Sequence, residues 1–403
     1  MCNFVPGEAI VLGQLSDLHE IGPGLPGTLV VQPLITEVGD LDANNPFIGI
    51  GTAVLKTEPG LEIYAVSQIS ARLADQIRYG KAYVDLNHFV PMAAYPADLD
   101  QLRFTPPAEA VALQLRRFLR SALAQGSVQY RVSILDSGID PDFIQNRRII
   151  YYDYSNGGRY NPGQRPQDPL GHGTRVAKIL DEILPPQVEL VVGRLPSDSV
   201  FMTTLVVANA FGDMIARSTP DVVNLSIAPR DNVFFCKKCK ERVNVPAFLP
   251  TFLPHLIRLA GRGAKRTSTV MASGNTGQVA NSRWINEDIE TLVFAVAENR
   301  HGNRARYSGA PEGPNADLFS ASIFGGDDPD EVGSMGVFID GSHGTSYAAP
   351  FLSSIALIAK DLHAPVTSGY PVQLGVHMRR LIEGARNGWT LSLNQAAADD
   401  EAR

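Results

Sequence analysis

Cysteine is scarce in this chain: three residues, Cys2, Cys236 and Cys239, among 403. Three thiols cannot build a disulfide framework, so the core must hold the fold, and a reducing compartment is expected. Long apolar runs are missing too. The most apolar stretch, residues 351–359, falls short of the roughly twenty residues of a membrane span and reads as a buried helix. The opening Met1-Cys2-Asn3-Phe4-Val5-Pro6-Gly7-Glu8 has neither the basic start nor the apolar run of a secretory signal. These absences predict a cytoplasmic protein with no membrane partner. Positive charge is not in excess either: 35 Lys and Arg face 42 Asp and Glu, a net charge of -7. A protein that neutralises many phosphates carries the opposite balance, which argues against nucleic acid.

What is present is apolar material enough for one large domain and a smaller companion, 44% of the residues. Residues 1–105 predict a small α+β domain. Strand-like runs at 29–31 and 48–55 are separated by the turn clusters Gly22-Pro23-Gly24 and Asn44-Asn45-Pro46, and residues 66–78 carry apolar positions at helical spacing. Gly49-Ile50-Gly51-Thr52 lacks the third glycine of a nucleotide loop and reads as a turn. Thr105-Pro106-Pro107 marks a linker, followed by an amphipathic helix over 108–124. From Arg131 onward, apolar runs at 132–135, 188–192, 222–227, 269–271 and 292–296 alternate with helical segments. Unbroken apolar runs mark strands buried on both faces of a parallel sheet. The expected architecture is α/β: a mostly parallel central sheet between helical layers over 106–393, and a polar tail at 394–403.

Three segments carry chemistry. Asp136 ends the apolar run 132–135 and precedes Ser137-Gly138, which sets a carboxylate at the carboxyl end of a buried strand, where open α/β sheets gather their sites. A turn or capping aspartate is the plainer alternative. His172 stands between Gly171 and Gly173 at the first turn of a helix, and the flanking glycines predict an accessible ring. Ser346 begins a buried helix within Gly344-Thr345-Ser346-Tyr347-Ala348-Ala349-Pro350. The positive helix end favours negative charge on a reacting oxygen, the small Gly344, Ala348 and Ala349 predict room for a substrate backbone, and Pro350 is expected within the first turn. A fourth segment, Ala272-Ser273-Gly274-Asn275, follows a strand and offers an amide that can donate to an oxyanion.

Together these segments resemble the active-site signatures of the subtilase family of serine peptidases, in the family's order Asp, His, Ser. The resemblance covers residues 108–385. It implies a subtilisin-like three-layer fold and an endopeptidase in which Asp136 orients His172, His172 takes the proton of Ser346, and Ser346 attacks a peptide carbonyl. It also implies that Asn275 and the Ser346 amide hold the oxyanion. A protein or peptide substrate would add as a strand along Leu225, Ser226 and Ile227, with Ala272, Ser273 and Gly274 as further substrate-binding residues. Arg175 stands where the family usually has a second histidine. Ala228 replaces a glycine and is expected to narrow the pocket before the scissile bond.

Other signals are weaker. Cys236-Lys237-Lys238-Cys239, in an insertion between 229 and 250, is half a zinc site, a redox pair or two ordinary thiols. The acidic loop Asp327-Asp328-Pro329-Asp330-Glu331 has oxygen donors of the kind calcium takes, but its spacing fits no EF-hand and a solvated loop is the simpler reading. No cofactor or metal is required. Residues 1–105 are either a releasable inhibitory prosegment or a permanent domain that gates the cleft or receives a regulatory protein, and the region's length favours the second. Two rivals stand beside the peptidase: a catalytically silent binding module of the same fold, and an α/β-hydrolase esterase, which would need its serine first in chain order and Gly-x-Ser-x-Gly.

Overall fold

The computed structural model describes residues 4–386 apart from 36–44, 92–98, 100, 101, 124–128, 145, 146, 197–200, 228–231, 236–241, 246–251, 264, 265, 276, 278, 281–290, 312–315 and 363–373. The chain opens with β1 (Phe4–Gln14), α1 (Leu15–Glu20), β2 (Thr28–Pro33), β3 (Ile50–Lys56), α2 (Glu62–Arg72), α3 (Ala74–Arg78) and β4 (Tyr83–Pro91). Its second part runs α4 (Pro106–Leu123), β5 (Arg131–Asp136), β6 (Ile149–Asp153), α5 (His172–Ile183), β7 (Glu189–Arg194), β8 (Phe201–Thr203), α6 (Thr204–Ser218) and β9 (Val222–Leu225). A hairpin of β10 (Asn232–Phe235) and β11 (Arg242–Val245) follows, then α7 (Phe252–Arg262), β12 (Ser268–Ala272), β13 (Val279–Ala280), β14 (Leu292–Glu298), β15 (Ala310–Pro311), β16 (Ser320–Phe324), α8 (Thr345–Leu362) and α9 (Leu374–Arg386).

The central sheet has seven strands in the order β16-β14-β12-β9-β5-β7-β6, paired in parallel throughout. Its inner strands are buried throughout apart from Arg131 at the start of β5, as their uninterrupted apolar runs predict. Residues of α4, α5, α8 and α9 form one core against the sheet, including Leu115, Val176, Leu352 and Met378. On the opposite face α6 and α7 contribute Phe211, Met214, Leu256 and Ile257. The layers are therefore helix, sheet, helix, and β5, β9 and β12 lie at the centre.

The first strand was not legible as a run, because Pro6, Gly7 and Glu8 interrupt it; its pairing with β4 shifts register between Phe4 and Ala9. Beyond that bulge it alternates with period two. Ala9 and Val11 face a small core with α1 and α2, whereas Ile10 and Leu12 join the core of α6 and α7. The N-terminal sheet, ordered β2-β3-β1-β4-β8, takes its last strand from beyond residue 105. It lies on α6 through a shared apolar core and a buried hydrogen bond from Thr52 Oγ1 to Asn209 Oδ1 at 3.0 Å. Among the described residues, no helix is long and apolar enough to cross a membrane.

Candidate active site

Asp136 is the last residue of β5 and is fully buried. Its Oδ1 accepts the backbone N–H of Ser137 at 2.7 Å and lies 2.7 Å from Nδ1 of His172. A carboxylate facing Nδ1 fixes the tautomer with the proton there and leaves Nε2 as the basic nitrogen. Gly173 makes this approach feasible: a Cβ at that position would fall 2.2 Å from the carbonyl oxygen of Gly138 and 3.2 Å from Cβ of Asp136. The glycine thus serves close packing of two turns. The expected exposure of the ring is not found, since His172 is only 1% accessible.

Asp168, which the sequence reading missed, clamps the same corner. Its Oδ1 accepts from Ser137 Oγ and Gly171 N, and its Oδ2 accepts from Thr174 N and Oγ1 at 2.7 and 2.6 Å. It satisfies the Gly171 amide at the start of α5 and the Thr174 amide in its first turn, the task of a capping carboxylate. Its place just upstream of a helix start was the available signal. Burial is the largest influence on the His172 imidazole and lowers its affinity for a proton. The Asp136 charge and hydrogen bond, with Asp168 behind them, outweigh burial and the opposing Arg175, so the pKa is raised above the ordinary value.

Ser346 is the second residue of α8, and its neighbour Tyr347 packs with ring centroids 5.7 Å from His172. The helix start that bears Ser346 therefore packs, through Tyr347, against the ring of His172. Its Oγ donates to the carbonyl of Ser226 at 3.0 Å, while Ser226 Oγ donates to the carbonyl of Ser346 at 2.8 Å. Pro350 gives the second bond its reason. It is the sixth residue of α8, not part of the first turn, and its missing N–H is the one that would bond the Ser346 carbonyl. Ser226 takes that place and is held in turn by Asn224 Nδ2 at 2.9 Å. Ala348 and Ala349 are fully buried in the core, so their small size serves packing and opens no room for substrate.

Asn275 stands exposed beside this helix start, and its Oδ1 accepts from Thr345 N at 2.8 Å and Thr345 Oγ1 at 3.0 Å. With the oxygen so engaged, Nδ2 faces Gly344, where a Cβ would lie 2.8 Å away. Of the expected substrate-binding residues, Leu225 ends β9 and pairs with Met271, and Ser226 and Ile227 continue from it, all three buried. Ala272 and Ser273 are buried as well. The Gly274 N–H donates to Thr345 Oγ1 and its carbonyl accepts from Gly309. Ala228 and the Cys236–Cys239 pair lie outside the described residues.

Asp327 and Asp328 are almost fully buried, and their oxygens accept the backbone N–H groups of Arg300, Met335 and Arg306. The first half of the acidic loop is thus a set of internal staples rather than a solvated stretch. Among the described residues, no group of His, Cys, Asp or Glu is arranged to hold a metal.

Residues 129–383 match the family model of the Subtilase family. Among solved structures, the chain is similar to proteases from Pseudoalteromonas arctica PAMC 21717, with 19% identity, 64% of this chain and 84% of that chain covered, and a TM-score of 0.40. It is also similar to Sphericase, with 16% identity, 66% and 89% covered, and a TM-score of 0.37. No curated protein matches the chain. The family match spans well over half of the sequence and coincides with the helix–sheet–helix unit built around β5, β9 and β12; the fold is subtilisin-like, and the chain belongs to the subtilase family of serine peptidases.

Proposed function

We propose that the chain is a serine endopeptidase that works through Asp136, His172 and Ser346 and an acyl-enzyme intermediate. The observation that carries this reading is the buried 2.7 Å contact of Asp136 with His172, beside the helix start that bears Ser346. In the reaction the Ser346 hydroxyl leaves the Ser226 carbonyl and gives its proton to Nε2 of His172 as Oγ bonds to the substrate carbonyl carbon. Asp136 stabilises the imidazolium so formed. The carbonyl electrons move onto oxygen, near the N-terminus of α8 and the Asn275 amide. The imidazolium then protonates the leaving amine as the peptide C–N bond breaks, and water repeats the cycle on the acyl ester. A fluorophosphonate probe tests the reading: it is expected to label the wild type at Ser346 and to leave Ser346→Ala unlabelled. A wild type that stays unlabelled and hydrolyses no peptide favours the silent binding module instead.

The substrate is expected to lie along Leu225, Ser226 and Ile227, with Ala272, Ser273 and Gly274 across from it. We infer further that residues 1–105 restrain this cleft in cis. Strand β4 pairs antiparallel with β8 through Phe89–Thr203, Val90–Met202 and Pro91–Phe201. Farther on, Phe104 bridges Phe338 and Thr105 N donates to Val337 O, just ahead of the segment leading to Ser346. The N-terminal region is thus tied to the second part of the chain both at β8 and just ahead of the segment that leads to Ser346. Intact mass after incubation separates the two forms of restraint: a cut between 91 and 102 marks a releasable segment, and an unchanged mass marks a permanent one. The scarcity of cysteine supports a cytoplasmic setting, in which such restraint has a purpose.

A further inference from the structure

We propose that Arg175 and Asp340 form a positioning pair that fixes the helix bearing His172 against the segment that delivers Ser346. The proposal rests on the triad reading above. Arg175 lies one turn after His172 and is the largest fully buried side chain in the described protein. Its Nε and Nη2 donate to Asp340 Oδ2 at 3.1 and 2.8 Å, and its Nη1 donates to the carbonyl of Gly171 at 3.0 Å. One guanidinium therefore grips the residue before His172 and a carboxylate six positions before Ser346. A planar donor fork suits this double grip, and neither lysine nor histidine reproduces it. Asp340 passes the constraint on: its Oδ1 accepts Ser342 N at 2.9 Å and Ser342 Oγ at 2.5 Å, and Ser342 O accepts from Val337 N at 2.6 Å. The hydrogen bonds from Ser342 and Arg175 overcome partial burial and hold the Asp340 carboxyl below its usual range, so it stays a carboxylate at neutral pH.

Neither residue is assigned contact with substrate; both act by setting distance. The test uses the full chain as wild type, Arg175→Met and the double variant Arg175→Met/Asp340→Asn, which leaves no buried charge unpaired. Fluorophosphonate labelling is read per folded molecule, as concentration dependence and pH profile, beside thermal melting. In Arg175→Met the maximal labelling rate is expected to fall roughly ten- to a hundredfold, the scale of a small misplacement, with half-saturation nearly unchanged. The midpoint of its acid limb should move up, because the guanidinium opposes the His172 imidazolium. The double variant is expected to melt closer to wild type yet stay slow. If the double variant labels at the wild-type rate with the wild-type pH profile, the pair is structural only and the proposal is overturned. If the wild type itself is unlabelled, the triad reading has failed and the proposal falls with it.

Discussion

The carboxylate of Asp136 meets Nδ1 of His172 at 2.7 Å in a corner where neither side chain is more than 1% exposed. Burial of this kind disfavours the imidazolium, but the Asp136 charge and hydrogen bond reverse the balance and raise the His172 pKa. In the proposed mechanism the base must be neutral to take the Ser346 proton, so activity should rise with pH through a midpoint above 6.5. Asp136→Asn is expected to lower kcat by roughly 10^4-fold and to shift that midpoint downward. Peptide hydrolysis across pH 5–9 checks both; a variant with the wild-type midpoint would detach Asp136 from the base. The raised pKa also sets a sign for stability. The contribution of protonated His172 is present below about 6.5 and is lost as pH rises through the folded value.

Asn275 and Gly344 form a second coupled pair. Gly344 has φ +148°, a backbone region that side chains avoid, and a Cβ there would press on Asn275 Nδ2. Gly344→Ala should therefore displace the amide proposed to face the developing oxyanion. Its loss in kcat should approach that of Asn275→Ala, roughly a hundred- to a thousandfold, and the two losses should not add. Additive losses in the double variant would mean that Gly344 acts elsewhere.

The Asp136–His172 contact and the parallel strands were legible because the signal for each is local. Asp136 follows an apolar run, His172 starts an amphipathic helix and Ser346 starts a buried one, and each pattern fits within about ten residues. What could not be read depends on partners far away in the chain. Asp168 becomes a clamp only when Ser137 and Thr174 come together around it. The role of Ser226 follows from the carbonyl that Pro350 frees, 120 positions downstream. The accessibility expected of His172 is absent because its flanking glycines do not leave open space. Here Gly173 brings two turns into contact. In the antiparallel sheet β2 and β3 were legible as the runs at 29–31 and 48–55, but the pairing of β4 with β8 was not, since it spans more than a hundred residues.

Leu34 joins the N-terminal sheet to the second part of the chain. It is 4% exposed and lies against Gly212 of α6. Leu34→Ala should leave a cavity at this contact and cost about 2–5 kcal/mol. If residues 1–105 restrain the cleft, the loosened contact should also increase peptide hydrolysis by the intact chain. Urea unfolding and a peptide assay read the two effects separately. A destabilised variant whose hydrolysis is unchanged would sever the contact from any control of activity.

His255 gives the same boundary a pH dependence of opposite sign to that of His172. It lies on α7, 8% exposed, with its ring 4.4 Å from that of Tyr83 on β4. Burial, reinforced by Arg258 and Arg262, pushes its pKa down to about 4. In the unfolded chain the same imidazole titrates near its ordinary 6.5. Between these values the unfolded state binds the proton and the folded state does not. The stability contributed by neutral His255 is therefore present above about 6.5 and is lost as pH falls toward 4, by about 3 kcal/mol in total. His255→Phe keeps a ring against Tyr83 and removes the titration. Urea midpoints at pH 7 and pH 4.5 should fall less on acidification in this variant than in the wild type. Groups common to both proteins, His172 included, cancel in that comparison, so an equal fall in both would show that His255 does not bear the acid sensitivity of this contact.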